Sequence, residues 1–74
     1  MSVLDRKVEA YRSLPPPGVR RALREANGLS QDDIAAELDV SRVAVSRWES
    51  GDRMPRGDHL IQYAELLERL GRVS

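Results

Sequence analysis

Residues 31–50 carry two helical apolar patterns on either side of a short turn signal, and this stretch limits the possible folds most strongly. The sequence predicts a first helix over about Gln31–Leu38, a turn over about Asp39–Ser41 and a second helix over about Arg42–Glu49, with Gly51 just beyond its end. The apolar positions of this stretch are Ile34, Ala35, Leu38, Val40, Val45 and Trp48. Residues at this spacing bury the facing sides of two crossed helices, so we expect a compact helix pair.

Capping residues mark where the two helices of this pair begin. Ser30 precedes the first helix and has Asp33 three positions later, close to a capping box in which Glu is the more usual partner. Asp32 and Asp33 lie in the first turn, where negative charge interacts favourably with the helix dipole. Ser41 is placed to cap the second helix in the same way.

Two segments before the pair also have helical character. Val3–Ser13 places apolar residues on one face, and the prolines of 15–17 end this helix because proline lacks an N–H and restricts the residue before it. A further helix is predicted over about Val19–Ala26, ending at Asn27 and Gly28. The first helix has its apolar face at Leu4, Val8 and Tyr11, and the second is expected to bury Val19, Ala22, Leu23 and Ala26. Arg20 and Arg21 are expected to face solvent.

A last helix is predicted after the pair. Residues 52–57 form a loop, Asp58 caps a helix over about His59–Leu70, and Gly71 ends it. The broad apolar face of this helix comprises Leu60, Tyr63, Ala64, Leu67 and Leu70. The sequence contains no strand pattern and no internal repeat, so we expect an all-α bundle of four or five short helices.

Composition limits the class of protein further. The chain has 74 residues, enough for one small domain, and its lack of Cys excludes disulfides and thiolate metal sites. The net charge is zero, but residues 31–40 carry −4 and residues 41–56 carry +2, so a local cationic edge is available for phosphates. No apolar run reaches the ~18 residues of a membrane span, and no secretory signal precedes the first helix. We therefore expect a cytoplasmic protein without a membrane partner.

The stretch RALREANGLSQDDIAAELDVSRVAVSRWESGDRMPR resembles the Cro/C1-type helix-turn-helix family of phage and bacterial regulators. The resemblance covers residues 19–70 and implies a lambda-repressor-like bundle. It makes residues 19–70 the DNA-binding domain, residues 1–14 an N-terminal helix extension, residues 15–18 a Pro-rich connector and residues 71–74 a tail. The extension and the connector are additions to the family pattern. In that family a further helix often follows and helps dimerisation, and none follows here before Ser74.

The resemblance also implies structural roles for five residues. Ala35 would be the small residue at which the two helices cross, and Val45 and Trp48 would anchor the second helix in the core. Arg24 would form an ion pair with Glu49 at the end of that helix. One departure from the family is Asp39, which stands where a turn glycine is usual, although Asp tolerates the left-handed region better than most residues.

The exposed side of the second helix is the candidate surface for reading DNA. In related docking geometries the N-terminal part of this helix reaches base edges in the major groove. Arginine can donate two hydrogen bonds to guanine, and small apolar side chains can contact the thymine methyl. The candidate base-reading residues are Arg42, Val43, Ala44, Ser46 and Arg47. The candidate phosphate contacts are Gln31, Ser41, Arg53 and Arg56, with Gln31 assigned by resemblance and favoured by the helix N-terminus.

These residues predict a sequence-specific regulator of transcription, a Cro-like or small repressor protein that occupies a double-stranded DNA operator. We expect no cofactor, no metal and no small-molecule ligand, because the chain has no catalytic triad, no Gly-rich phosphate loop and a single histidine, His59. It is therefore not expected to be an enzyme. We expect a monomer in solution that pairs weakly on DNA, through the last helix. The alternatives are the antitoxin of a toxin–antitoxin pair, using the helix at residues 3–14, and a protein-interaction module that does not bind DNA.

Overall fold

A computed structural model describes residues 2–73, so Met1 of the predicted extension and Ser74 of the predicted tail lie outside the described residues. The described chain forms five α-helices and contains no strand. The helices are α1 (Val3–Ser13), α2 (Pro17–Ala26), α3 (Gln31–Leu38), α4 (Arg42–Ser50) and α5 (Asp58–Val73). The prediction of an all-α helix-turn-helix bundle is confirmed.

The α3–turn–α4 unit is defined by its caps. The Ser30 hydroxyl accepts a hydrogen bond from the backbone N–H of Asp33 at 3.0 Å, and the Asp33 carboxylate accepts one from the N–H of Ser30 at 2.7 Å. This is a complete capping box, so Asp serves where Glu is more usual. Asp39 ends α3 in the left-handed conformation with φ 55°, and Gly51 ends α4 with φ 81°. The turn is thus made without a glycine.

The main core lies where α3 and α4 pack against α5. Val45 and Tyr63 are its most deeply buried large side chains, with 0% and 1% of their surface exposed. The other buried members are Ile34, Ala35, Leu38, Trp48, Leu66, Leu67 and Leu70. All three elements contribute large apolar side chains, so the direction of α4 is set by contacts on its whole inner face. No helix within residues 2–73 is long and apolar enough to cross a membrane.

The N-terminal helix α1 packs on the opposite part of α5 through a second, smaller cluster. Its buried residues are Ala10, Leu60, Ile61 and Ala64, with Leu14 partly buried against both clusters. An exposed ion pair joins the Arg6 Nη2 and Glu65 Oε1 atoms at 3.5 Å. The predicted apolar face of α1 is present but is not the packed face, because α1 contacts α5 through its small Ala10 instead.

Helix α2 differs from its prediction in both start and orientation. It begins at Pro17, two residues earlier than expected, since the first helical position needs no N–H. The predicted stripe is wrong at three of its four residues: only Leu23 reaches the core, while Val19, Ala22 and Ala26 are exposed. The inward side instead carries Arg20, Leu23, Arg24 and Asn27, which keep the same helical spacing.

Hydrogen bonds from α2 side chains to buried or partly buried carbonyls of other segments explain this orientation. The Arg20 side chain, expected in solvent, is buried with 6% exposure. Its Nε donates to the Pro15 carbonyl at 2.6 Å and its Nη1 to the Trp48 carbonyl at 3.0 Å. The Asn27 amide donates to the Leu70 carbonyl at 3.3 Å. Carbonyls left unpaired away from water would destabilise the fold, so these polar contacts outweigh burial of the small apolar residues of α2.

Helix α5 also extends beyond its predicted end at Gly71, continuing to Val73. The side chain of Leu23 lies beside Gly71, where a built Cβ atom would be 3.8 Å from Leu23 Cδ2. Packing against α2 therefore continues along this part of α5, and tertiary contact overrides the weak helix propensity of glycine.

Adjacent arginines on α2 allow a matched test of this orientation. We expect Arg20→Ala to lower the free energy of unfolding by about 3 kcal/mol, because two charge-assisted hydrogen bonds are lost and two carbonyls lose a partner. Arg21→Ala should change it by less than ~0.5 kcal/mol, because Arg21 is exposed and its ion pair with Glu25 is a solvent-exposed i,i+4 pair. Urea unfolding of both variants measures the difference, and equal losses would show that Arg20 is not a structural residue.

Candidate nucleic-acid interface

The side of α4 that faces away from the core carries four of the five predicted base-reading residues. Arg42, Val43, Ser46 and Arg47 are exposed. Ala44 is the exception, because it is half-buried and packs against the main core, so its expected position on the outer side is only partly correct. The exposed surface of α4 is consequently polar and cationic, with Val43 as its one large apolar side chain.

The opposite side of α4 is fixed by Val45 and Trp48. Val45 is fully buried, and the Trp48 ring lies 4.8 Å from the Tyr63 ring between centroids, at an interplanar angle of 45°. The half-buried His59 ring also lies near the Trp48 ring, with 6.5 Å between the two centroids. Tilted aromatic pairs at such distances add attraction beyond area burial. These contacts hold α4 so that its cationic side points outward.

A buried ion pair joins α2 to the end of α4. Arg24 Nε donates to Glu49 Oε2 at 2.6 Å, and Arg24 Nη2 donates to Glu49 Oε1 at 2.9 Å, a two-pronged contact. Arg24 Nη1 donates to the Leu29 carbonyl at 2.9 Å, and the Gln31 amide donates to Glu49 Oε1 at 3.1 Å. The network therefore connects α2, the loop before α3, the first residue of α3 and α4.

The four predicted phosphate contacts occupy different environments. Gln31 is half-buried, and its amide nitrogen already donates to Glu49. The Ser41 hydroxyl accepts a hydrogen bond from the Ala44 N–H at 3.1 Å and so caps α4. Arg53 and Arg56 are exposed on the loop between α4 and α5. The structure thus gives Gln31 and Ser41 intramolecular roles beside any contact with DNA, and leaves the two loop arginines open to solvent.

An open cleft lies between the N-terminal ends of α3 and α4. The residues lining it are Arg21, Arg24, Ser30, Gln31, Asp32 and Arg42. Asp32 Oδ1 lies 4.0 Å from Arg42 Nε, and both side chains are exposed. Sequence reasoning did not relate these two residues. Asp32 and Arg42 begin successive capped helices, so their proximity follows from the crossing of α3 over α4, which spacing alone does not give.

Comparison with known proteins assigns this geometry to a family. A family model described as helix-turn-helix matches residues 21–70, more than half of the chain. The chain belongs to the Cro/C1-type helix-turn-helix family. The resemblance drawn from the sequence is confirmed, and α3 and α4 are the two helices of the motif. None of the curated proteins and none of the solved structures that were compared matches the chain.

The Arg24–Glu49 contact of this helix-turn-helix domain controls the ionisation of its carboxylate. Burial opposes the charged form of Glu49, but hydrogen bonds from Arg24 and Gln31 outweigh it, so the pKa of Glu49 lies below its ordinary value of 4.5. The same hydrogen bond to Glu49 raises the pKa of Arg24. A carboxyl group with a depressed pKa stabilises the fold above its ordinary pKa, and this contribution is lost as the pH falls through the depressed folded-state value.

Acid unfolding tests this contribution. We expect the wild-type melting temperature to fall as the pH drops below the ordinary 4.5 of Glu49. Glu49→Gln should lower the free energy of unfolding near neutral pH by about 3 kcal/mol, and the melting temperature with it, because it leaves the buried Arg24 charge uncompensated. At acid pH the melting temperature of Glu49→Gln should also fall less steeply than that of the wild type. Some dependence on pH should remain because of Asp33, whose pKa is lowered by the Ser30 hydrogen bonds.

Glu25→Gln is the matched control for this experiment. Glu25 is an exposed carboxylate whose ion pair with Arg21 spans one helical turn at 3.5 Å. Removing the Glu25 charge should leave the melting temperature nearly unchanged, both at neutral pH and as the pH falls. If Glu49→Gln behaved like this control, the burial of Arg24 would not depend on a charged partner on α4.

Proposed function

We propose that this protein is a sequence-specific, double-stranded DNA-binding regulator of transcription, a Cro-like or small repressor protein of phage or bacterial origin acting in the cytoplasm. The observation that carries the proposal is the orientation of α4. Arg42 and Arg47 are exposed on one side of a helix whose other side is buried through Val45 and Trp48. A short cationic helix presented this way fits the major groove of B-form DNA. The protein would repress by covering an operator and needs no cofactor for this.

Base recognition is proposed for the exposed residues of α4. Arg42 and Arg47 are suited to the O6 and N7 atoms of guanine, and Val43 to the thymine methyl. Ser46 can bond either a base or a phosphate. Ala44 contributes only the part of its methyl surface that lies outside the core contact. Specificity would therefore rest mainly on the two arginines.

Phosphate contacts on either side of α4 would set its depth and register in the groove. The Gln31 amide nitrogen donates one hydrogen to Glu49 and retains a second for a phosphate. The backbone N–H groups at the start of α3 favour the same anion. Ser41, Arg53 and Arg56 would complete the set. Because the net charge is zero, these local contacts must supply what long-range attraction does not.

The two alternative functions differ from this proposal in what they require of α4. A protein-interaction module would leave Arg42 and Arg47 without a role, although both are exposed. An antitoxin would keep DNA binding and add a toxin-binding surface, for which α1 is the available helix. Selection of bound sequences from a random duplex pool separates DNA reading from the protein-interaction module: an enriched motif supports DNA reading, and retention of no duplex at low salt contradicts it.

Arginine substitutions on α4 test base reading directly. We expect Arg42→Ala and Arg47→Ala each to weaken binding to the selected site by ~5- to 150-fold, the loss of one two-pronged guanine contact worth ~1–3 kcal/mol. The melting temperature should hardly change, since both side chains are exposed. Arg69→Ala, an exposed arginine on α5, is the control. Loss of folding in the Arg42 or Arg47 variant, or unchanged base preference in both, would contradict their assignment.

Arg53→Ala tests the phosphate contacts. We expect this variant to bind the selected site and unrelated duplexes more weakly by the same factor, because phosphate contacts carry no base information. The slope of log binding constant against log salt should become shallower by about one unit. Titrations at three or more salt concentrations measure it. A change in base preference instead would place Arg53 against a base edge.

A further inference from the structure

The outer side of α1 carries an apolar stripe that stays largely exposed within residues 2–73. Leu4, Val8 and Tyr11 follow one another at spacings of four and three residues and have 71%, 43% and 64% of their surface exposed. We call these three residues the α1 apolar face. The contact of α1 with α5 uses Ala10 and Leu14, which lie about a quarter-turn away around the helix. The α1 apolar face is therefore not part of the core of this chain.

Two charged residues border one side of this face. Asp5 and Arg12 are seven residues apart, which places them two turns apart on the same flank of α1. Neither forms an ion pair within residues 2–73, whereas Arg6, on the side of α1 opposite this face, is paired with Glu65. The flank thus presents a negative charge near the start of the helix and a positive charge near its end.

This pattern is self-complementary when two copies of α1 run antiparallel about a two-fold axis near Val8. Leu4 then lies opposite the partner's Tyr11, and Val8 lies opposite the partner's Val8. On the bordering flank, Asp5 meets the partner's Arg12, and by symmetry Arg12 meets the partner's Asp5. The helix dipoles of the two copies also oppose each other favourably. A two-fold interface needs such matching of a surface with itself, and a foreign partner does not.

We propose that the α1 apolar face is the dimerisation surface of this protein and that its occupant is a second copy of the chain, paired antiparallel through α1. Helix α5, where pairing was expected from the sequence, is not available for it. Its apolar residues Leu60, Tyr63, Ala64, Leu67 and Leu70 are all buried within the chain itself. Helix α1, by contrast, has an exposed apolar face, and the charges of Asp5 and Arg12 beside it favour antiparallel pairing.

The size of the face sets the strength of the dimer. Three large side chains and the exposed Val3 cover less than the ~1,200 Å² of total surface at which stable interfaces begin. The protein is therefore a monomer when dilute and a dimer when concentrated. Two adjacent DNA half-sites would raise the local concentration and strengthen pairing, but pairing itself does not depend on DNA.

Charge exchange between Asp5 and Arg12 tests the arrangement. Sedimentation equilibrium of the full chain without DNA measures the dimer dissociation constant. Asp5→Arg and Arg12→Asp should each weaken the dimer roughly tenfold, because each creates two like-charge contacts across the axis. The double variant restores opposite charges and should return to within about threefold of the unchanged protein. Within a monomer the two changes oppose the helix dipole additively, so the double variant would be the worst of the three.

Disulfide cross-linking through an introduced cysteine tests the dimer independently, because the chain itself contains no Cys. Oxidation of a Val8→Cys variant should give a disulfide-linked dimer, because the two positions meet at the axis. Glu9→Cys, one residue further and turned away from the face, is the matched control and should remain monomeric. Val8→Asp should be monomeric at every concentration and should keep the helical circular dichroism of the unchanged protein.

Three results would overturn the proposal. These are a monomer at all concentrations, a dimer that survives Val8→Asp, and a double charge variant weaker than both single ones. None of them affects DNA binding by α4, because a monomer still presents α4 to a single half-site. Failure of the dimer is thereby distinguishable from failure of the proposed function, which is read from duplex binding alone.

Discussion

The buried contact between Arg24 and Glu49 determines how α4 is held against α2. It joins α2 to the end of α4 with two short hydrogen bonds, and Gln31 adds the start of α3 to the same carboxylate. Burying such a pair gives little net stability, since the loss of hydration offsets most of the attraction. Its effect is geometric, because neither charge can be left alone in the interior. A placement of α2 that moved Arg24 away from Glu49 would leave both charges unpaired.

Polar contacts also set the orientation of the rest of α2. This helix turns polar side chains toward the other helices and leaves most of its apolar stripe exposed. Arg20, Arg24 and Asn27 each reach a carbonyl or carboxylate on another segment. A chain of 74 residues buries a limited share of its surface. In a core this small, directional hydrogen bonds specify the angle between helices more sharply than a few alanine methyl groups can. This specification carries a risk, because removing one partner leaves the other buried and unsatisfied.

The sequence predicted most of the fold where local signals agree with tertiary packing. Around α3 and α4, the capping residues Ser30 and Ser41, the end at Gly51 and the helical apolar spacing all indicate the same boundaries. The burial of Val45 and Trp48 and the exposure of Arg42 and Arg47 follow from that periodicity.

Prediction failed where long-range contacts decide. Val19, Ala22 and Ala26 have the spacing of a buried stripe, yet they face solvent because the carbonyls of Pro15 and Trp48 require the side of α2 that carries Arg20. Gly71 is a residue type that commonly ends a helix, but it lies within α5 and packs beside Leu23. The approach of Asp32 to Arg42 depends on the crossing of two helices. No single-segment pattern contains these relations, although the family resemblance identified the Arg24–Glu49 pair.

Arg20 stands one residue before the family-matched region, which begins at residue 21. Its guanidinium nevertheless donates hydrogen bonds both to the Pro15 carbonyl in the connector and to the Trp48 carbonyl in α4. The family match therefore leaves out a buried residue that contacts α4 directly. The leading segment is hydrogen-bonded to α4 through Arg20, so a substitution that moves the Pro15 carbonyl also disturbs the side chain that binds the Trp48 carbonyl.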